Sequence, residues 1–254
     1  MKEVRTNKIL VKGLEINFKI IGEGRPLLIL HGWGSKSERW EKVAGLLAQN
    51  GIKVIIPDLP GFGNSQRPLK IWGLDNYCEF IQEFINFLSL EKFYLLGHSF
   101  GGALAVKCSL KFPEKINKLF LIGAACFRRK ALRKKLFYII AKILKVFSFL
   151  PCYSYFRKGC YKFIVRKSDY SYTDGVMKDI YLKIIKEDLS DVISQVQVPT
   201  IIIWGKNDKV KRIKEAYSIN ERIKDSKLEI LPQTGHNPNS EMPEKLSKII
   251  SQFI

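Results

Sequence analysis

Ser99 stands where an apolar run meets a helix-like run in "FYLLGHSFGGALA" (93–105), with glycine two places before it and two places after. A strand that turns directly into a helix holds the residue at the turn above the carboxyl edge of a parallel sheet, where ligand sites form. Such a turn is tight. Its central residue takes a strained backbone conformation, and neighbours two positions away must lack bulk, as Gly97 and Gly101 do. Taken alone, the same five residues also describe a turn serine capping a helix. Chemistry asks for more, because a serine hydroxyl is a poor nucleophile until a base accepts its proton, and that base is normally histidine.

The chain holds three histidines, His31, His98 and His236. His98 adjoins Ser99 but projects differently, which suits packing or a structural hydrogen bond. His31 lies at a strand end in "HGWG" (31–34), where backbone geometry accounts for its surroundings. His236, in "LPQTGHNPN", follows the last expected strand on a loop at the carboxyl edge, and is the histidine free to reach Ser99. A catalytic histidine needs an acid that fixes its tautomer and stabilises the imidazolium. Asp208, in "IIIWGKNDKV", lies just past the preceding strand, giving the chain order Ser99, Asp208, His236. Asp208 could instead cap the helix that follows, as could Asn207. The other common place for the acid, "GAACFRRK", carries no carboxylate.

Attack on a carbonyl builds charge on its oxygen, which preorganised N–H groups must receive; one lost donor costs about 3 kcal/mol. Phe100 follows the nucleophile at a helix start, so its N–H is one candidate. Trp33, between Gly32 and Gly34, offers a second, although turn glycines would look the same.

These residues need a frame that gathers them. "ILVKGLEINFKII" (9–21) reads as a hairpin turning near Lys12-Gly13. Strands are expected at 27–32, 53–61, 93–97, 118–123, 200–205 and 227–232, and helices at 37–51, 76–90, from Ser99 to about Lys111, and 241–254. Near-continuous apolar strands alternating with helices predict an α/β protein, a mostly parallel sheet covered on both faces. The rhythm stops near Ala124 and resumes near Pro199. The expected organisation is a core of residues 1–124 and 196–254 with a helical, basic insertion at 125–195.

In family order, "HGWG", "DLPGFGNS" (58–65), "GHSFGG", "WGKND" and "TGH" resemble the α/β-hydrolase superfamily. The likeness spans essentially the whole sheet domain. It implies that family's fold, a serine nucleophile, no cofactor, and an insertion that forms a cap over the site. "DLPGFGNS" resembles a turn that shapes the site, and no chemistry is assigned to it. Serine at the elbow differs from the aspartate of the superfamily's haloalkane dehalogenases and epoxide hydrolases, and "HGWG" differs from the HGGPG of prolyl iminopeptidases. His98 stands where carbon–carbon bond hydrolases often carry asparagine. The pair "HGWGSKSERW" and "DLPGFGNS" is most similar to carboxylesterases. The expected activity is therefore ester hydrolysis through an acyl-enzyme, with C–C cleavage, thioester cleavage by the same triad, or a non-catalytic binding protein as alternatives.

Composition sets the remaining bounds. The chain has 254 residues and a formal net charge of +19, and thirteen Lys or Arg against one Asp fall between Phe127 and Tyr170. Three explanations compete for that charge: a solvated lysine-rich cap face, an amphipathic surface resting on anionic lipid, and a dock for an acidic acyl carrier or CoA phosphates. Nucleic acid is not expected, because no binding motif accompanies the charge. The five cysteines, Cys78, Cys108, Cys126, Cys152 and Cys160, form no CxxC pair and read as reduced thiols. A charged N-terminus and the lack of a long apolar run predict a cytoplasmic protein, with peripheral membrane attachment left open. The expected partner is a small ester or acyl substrate.

Overall fold

The computed structural model describes residues 4–128 and 174–254. Among them, eight strands form one sheet in the order β1-β2-β4-β3-β5-β6-β7-β8. β1 (Val4–Val11) and β2 (Leu14–Ile21) make the expected hairpin, turning through Lys12 and Gly13, both at positive φ. β2 pairs antiparallel with β4 (Ile52–Pro57), and every later pairing is parallel: β3 (Arg25–Leu30), β5 (Phe93–His98), β6 (Ile116–Ile122), β7 (Thr200–Gly205) and β8 (Ser226–Leu231).

Side chains on a strand point alternately to the two faces of the sheet. Leu28, Leu30, Leu95, Leu119, Leu121 and Ile202 belong to one buried cluster; Leu27, Ile29, Leu96, Phe120, Ile122 and Ile203 belong to the other. Both sets are apolar, so both faces need a cover. On the first face lie α2 (Leu74–Phe87), α3 (Phe100–Lys111), α4 (Gly175–Ile184) and α5 (Ile213–Arg222). On the second lie α1 (Glu41–Ala48) and α7 (Pro243–Phe253). A short helix, α6 (Pro238–Glu241), precedes α7.

Two expected helices have different starts. The run from residue 37 opens as a 3-10 turn, Ser37–Trp40, because the Ser37 N–H donates to the Asp58 carboxylate at 2.6 Å and is held there before α1 begins. The C-terminal helix begins at Pro243, not at residue 241, since proline lacks an N–H and suits the first turn of a new helix.

The chain leaves the sheet after Ile122 and returns at Thr200. The two described ends of this insertion meet: Leu189 N–H donates to the Cys126 carbonyl at 2.9 Å. Arg128 reaches the carbonyls of Glu187 and Ile184 at 2.5 and 3.0 Å, so one cation of the basic stretch serves the carboxyl end of α4. The rest of that stretch from residue 129 to Tyr170, with Cys152, Cys160 and the cap, lipid and carrier expectations, lies outside the described residues. Cys78, Cys108 and Cys126 are buried free thiols. No helix of the described residues is long and apolar enough to cross a membrane.

Candidate active site

β5 ends at His98 and α3 begins at Phe100, which leaves Ser99 as the whole turn. Its φ of 53° and ψ of −112° are strained for a residue with a side chain. The surroundings hold it there. Ser99 N–H donates to the Ile122 carbonyl at 2.9 Å, and its own carbonyl accepts from Gly102, Ala103 and Ala125. Both flanking glycines are required by contact: a Cβ on Gly97 would strike the Gly101 carbonyl, and one on Gly101 would strike the carbonyls of Leu30 and His31.

The structure brings the three widely spaced residues together. His236 Nε2 lies 3.0 Å from Ser99 Oγ, and His236 Nδ1 lies 2.7 Å from Asp208 Oδ2. Asp208 follows β7 and His236 follows β8, so the carboxyl ends of β5, β7 and β8, with β6 between the first two, supply the group. Asp208 is buried, and its Oδ1 accepts the N–H groups of Val210 and Lys211 at 2.8 and 2.7 Å. Oδ2 is thereby left facing the imidazole. With Nδ1–H donating to the carboxylate, Nε2 is free to accept from the serine hydroxyl.

Further contacts aim the His236 loop. His98 Nε2–H donates to the His236 carbonyl at 2.7 Å, and Glu241 accepts from the N–H groups on either side, Gly235 and Asn237, at 2.5 and 3.0 Å. Burial, reinforced by neighbouring His236, pushes the His98 pKa down to about 4, so the ring stays neutral while it makes this bond.

Loop 31–34 abuts the elbow. A Cβ on Gly32 would lie 3.4 Å from Ser99 Cβ and 3.1 Å from His98 Nδ1. Phe100 opens α3, so its N–H has no acceptor in the preceding turn. Neither that N–H nor that of Trp33 donates a backbone hydrogen bond among the described residues. His31 is buried at the loop's root, where Nδ1–H donates to the Gly32 carbonyl at 2.8 Å and Nε2 accepts from Leu59 N–H at 3.0 Å. Burial holds its pKa below the usual value.

Asp58 ties β2 and the 3-10 turn after this loop to the "DLPGFGNS" turn. Its carboxylate takes Ser37 N–H at 2.6 Å, Asn64 N–H at 3.0 Å and Asn17 Nδ2 at 2.9 Å. Burial opposes its ionisation, yet these hydrogen bonds outweigh burial and hold the carboxyl below its ordinary range. Sequence reasoning gave Asp58 no role. Its motif position was the signal, but two of these partners, Ser37 and Asn17, stand 21 and 41 residues away.

A cleft of about 290 Å³ opens over Ser99 and His236, lined also by Trp33, Arg39, Val210, Asn237 and Asn239. The Trp33 ring stands against Phe62, Phe100 and Tyr181, with centroids 4.8, 5.5 and 5.2 Å apart, and Tyr77 continues that aromatic wall at 5.3 Å from Phe100. A larger hollow of about 790 Å³ between Arg5, Gly22 and Lys53 contains no nucleophile beside a base.

The sequence profile of the alpha/beta hydrolase fold matches residues 25–149. The chain has the α/β-hydrolase fold. This hydrolase is 28% identical over 253 residues to the AB hydrolase superfamily protein YisY of Bacillus subtilis (strain 168), covering 92% of each chain. It is 26% identical over 268 residues to the 2-hydroxy-6-oxo-6-(2'-aminophenyl)hexa-2,4-dienoic acid hydrolase of Metapseudomonas resinovorans, covering 95% of this chain and 88% of that one. Among solved structures, the esterase EaEST from Exiguobacterium antarcticum superposes with a TM-score of 0.76 at 26% identity, covering 98% of this chain and 99% of that one.

Proposed function

We propose that this α/β hydrolase cleaves a carboxylic ester through an acyl-enzyme formed on Ser99. The observation that carries the proposal is the unbroken chain from Ser99 Oγ to His236 Nε2 at 3.0 Å and from His236 Nδ1 to Asp208 at 2.7 Å. Ser99 Oγ attacks the carbonyl carbon while its proton passes to His236 Nε2. The imidazolium is stabilised by Asp208, whose charge is oriented by two backbone N–H groups. Charge on the carbonyl oxygen is received by the N–H groups of Trp33 and Phe100. The tetrahedral intermediate collapses, the ester C–O bond breaks, and the leaving alkoxide takes the proton from His236. Water then adds to the acyl-enzyme with His236 again as base, releasing the carboxylic acid and restoring Ser99.

Support also comes from the esterase superposition and from the serine at the elbow. A second reading, hydrolysis of a carbon–carbon bond in a keto-dienoate, is favoured by the resemblance to the Metapseudomonas enzyme. Rapid mixing with a chain-length series of 4-nitrophenyl esters tests the first. It should give a burst of nitrophenolate approaching about one equivalent per active site before a slower steady rate. Release no faster than that of Ser99→Ala across the series contradicts the ester reading. Turnover of a 2-hydroxy-6-oxo-dienoate with inertness toward every ester would install the second.

A further inference from the structure

The 3-10 turn Ser37–Trp40 meets α6 beside the cleft, where Asn239 Nδ2 donates to the Arg39 carbonyl at 2.9 Å. That bond fixes the Arg39 backbone at the cleft wall. Carboxylates on the elements that meet here are committed elsewhere. Glu38 pairs with Lys36 at 2.5 Å, Glu41 of α1 pairs with Lys19, and Glu241 of α6 holds the His236 loop. Arg39 itself is exposed, and its guanidinium has no partner among the described residues. On the same wall Asn239 is only 5% exposed, and its Oδ1 accepts no hydrogen bond.

We infer that Arg39 binds a carboxylate carried by the substrate, so that the preferred ester is an anionic one. This rests on the assignment of Ser99 and His236 as the reacting pair. Among the described residues that line the cleft with them, Arg39 is the one that is permanently charged. A guanidinium presents paired N–H donors in a plane that matches the two oxygens of a carboxylate, and it stays charged at any working pH. One cation among the described lining residues suits one negative charge, whereas a phosphate dianion would call for a second. Because Arg39 and Ser99 line one cleft of about 290 Å³, the carboxylate and the scissile carbonyl belong to one small molecule.

Binding measured where no turnover can occur tests this directly. In the Ser99→Ala background, calorimetry compares mono-4-nitrophenyl glutarate with the neutral 4-nitrophenyl hexanoate. The anionic ester should bind about tenfold tighter or better, and added salt should narrow the gap. Adding Arg39→Gln should abolish the gap, while Arg39→Lys, which keeps charge but not the fork, should retain part of it. Equal affinity for the two esters, or a gap that survives Arg39→Gln in a protein with unchanged melting, overturns the inference. The nucleophile assignment is judged separately, by turnover of the hexanoate ester with Ser99 intact. Its failure leaves the Arg39 comparison decisive on its own terms.

Discussion

His98 and His236 lie with ring centroids 5.0 Å apart, yet their surroundings give them opposite tasks. His98 is buried, neutral and bonded to a carbonyl; His236 keeps one nitrogen toward a carboxylate and the other toward a hydroxyl. A neutral neighbour also spares the imidazolium that the proposed chemistry creates from a second positive ring. The arrangement has a consequence for stability. The folded pKa of His98, about 4, is depressed from 6.5, so between those values the unfolded chain binds a proton that the folded one does not. Its contribution is therefore complete above the unfolded value and is lost as pH falls toward the folded one, by roughly 3 kcal/mol in all. Urea unfolding of His98→Gln should lose less stability between neutral pH and pH ~4.5 than the wild type does. Equal losses in the two proteins would remove His98 from the account. The structural part assigned to this histidine was legible from its place beside Ser99. Arg39, Val210, Asn237 and Asn239 were not, because the cleft assembles them from separate loops with no local pattern.

At the scale of elements, the strand–turn–helix at Ser99 shows what a short motif can and cannot reveal. The need for small residues at 97 and 101 follows from the tightness of the turn, and the carbonyls of Leu30 and His31 show what a side chain at 101 would meet. That second fact was not legible, since β3 lies far off in sequence. Gly101→Ala should therefore lower stability by about 2–3 kcal/mol, as overpacking does, and lower the melting temperature by roughly 5–10 °C. Gly45 in α1 is the internal contrast, because a Cβ there meets nothing within 4 Å. Gly45→Ala should raise stability by about 0.5–1 kcal/mol through helix propensity. Thermal melts of the two variants settle the point; similar shifts in both would contradict it. The divided start of the run from Ser37 has the same origin, since the deciding partner, Asp58, stands 21 residues away.

For the whole molecule, the order of strands explains why so much was readable. Apolar runs of strand length, interleaved with amphipathic runs, fix a parallel sheet with two covered faces, and such a sheet brings the carboxyl ends of β5, β7 and β8 to one edge. Residues 137 positions apart, Ser99 and His236, can then meet without any local sequence signal joining them. The excess of Lys and Arg is a different matter. Composition locates it between Phe127 and Tyr170 but says nothing of its use, and Arg128 shows that one of these cations works inside the protein.

Everything proposed for catalysis requires a hydroxyl at residue 99 made nucleophilic by the histidine at 236. Intact-mass analysis after exposure to a fluorophosphonate asks that question with no knowledge of the substrate. The wild type should gain a single adduct mapped to Ser99, and His236→Ala should label at least about 100-fold more slowly. A wild type that takes up no adduct, or a His236→Ala variant that labels at the wild-type rate, would contradict the account.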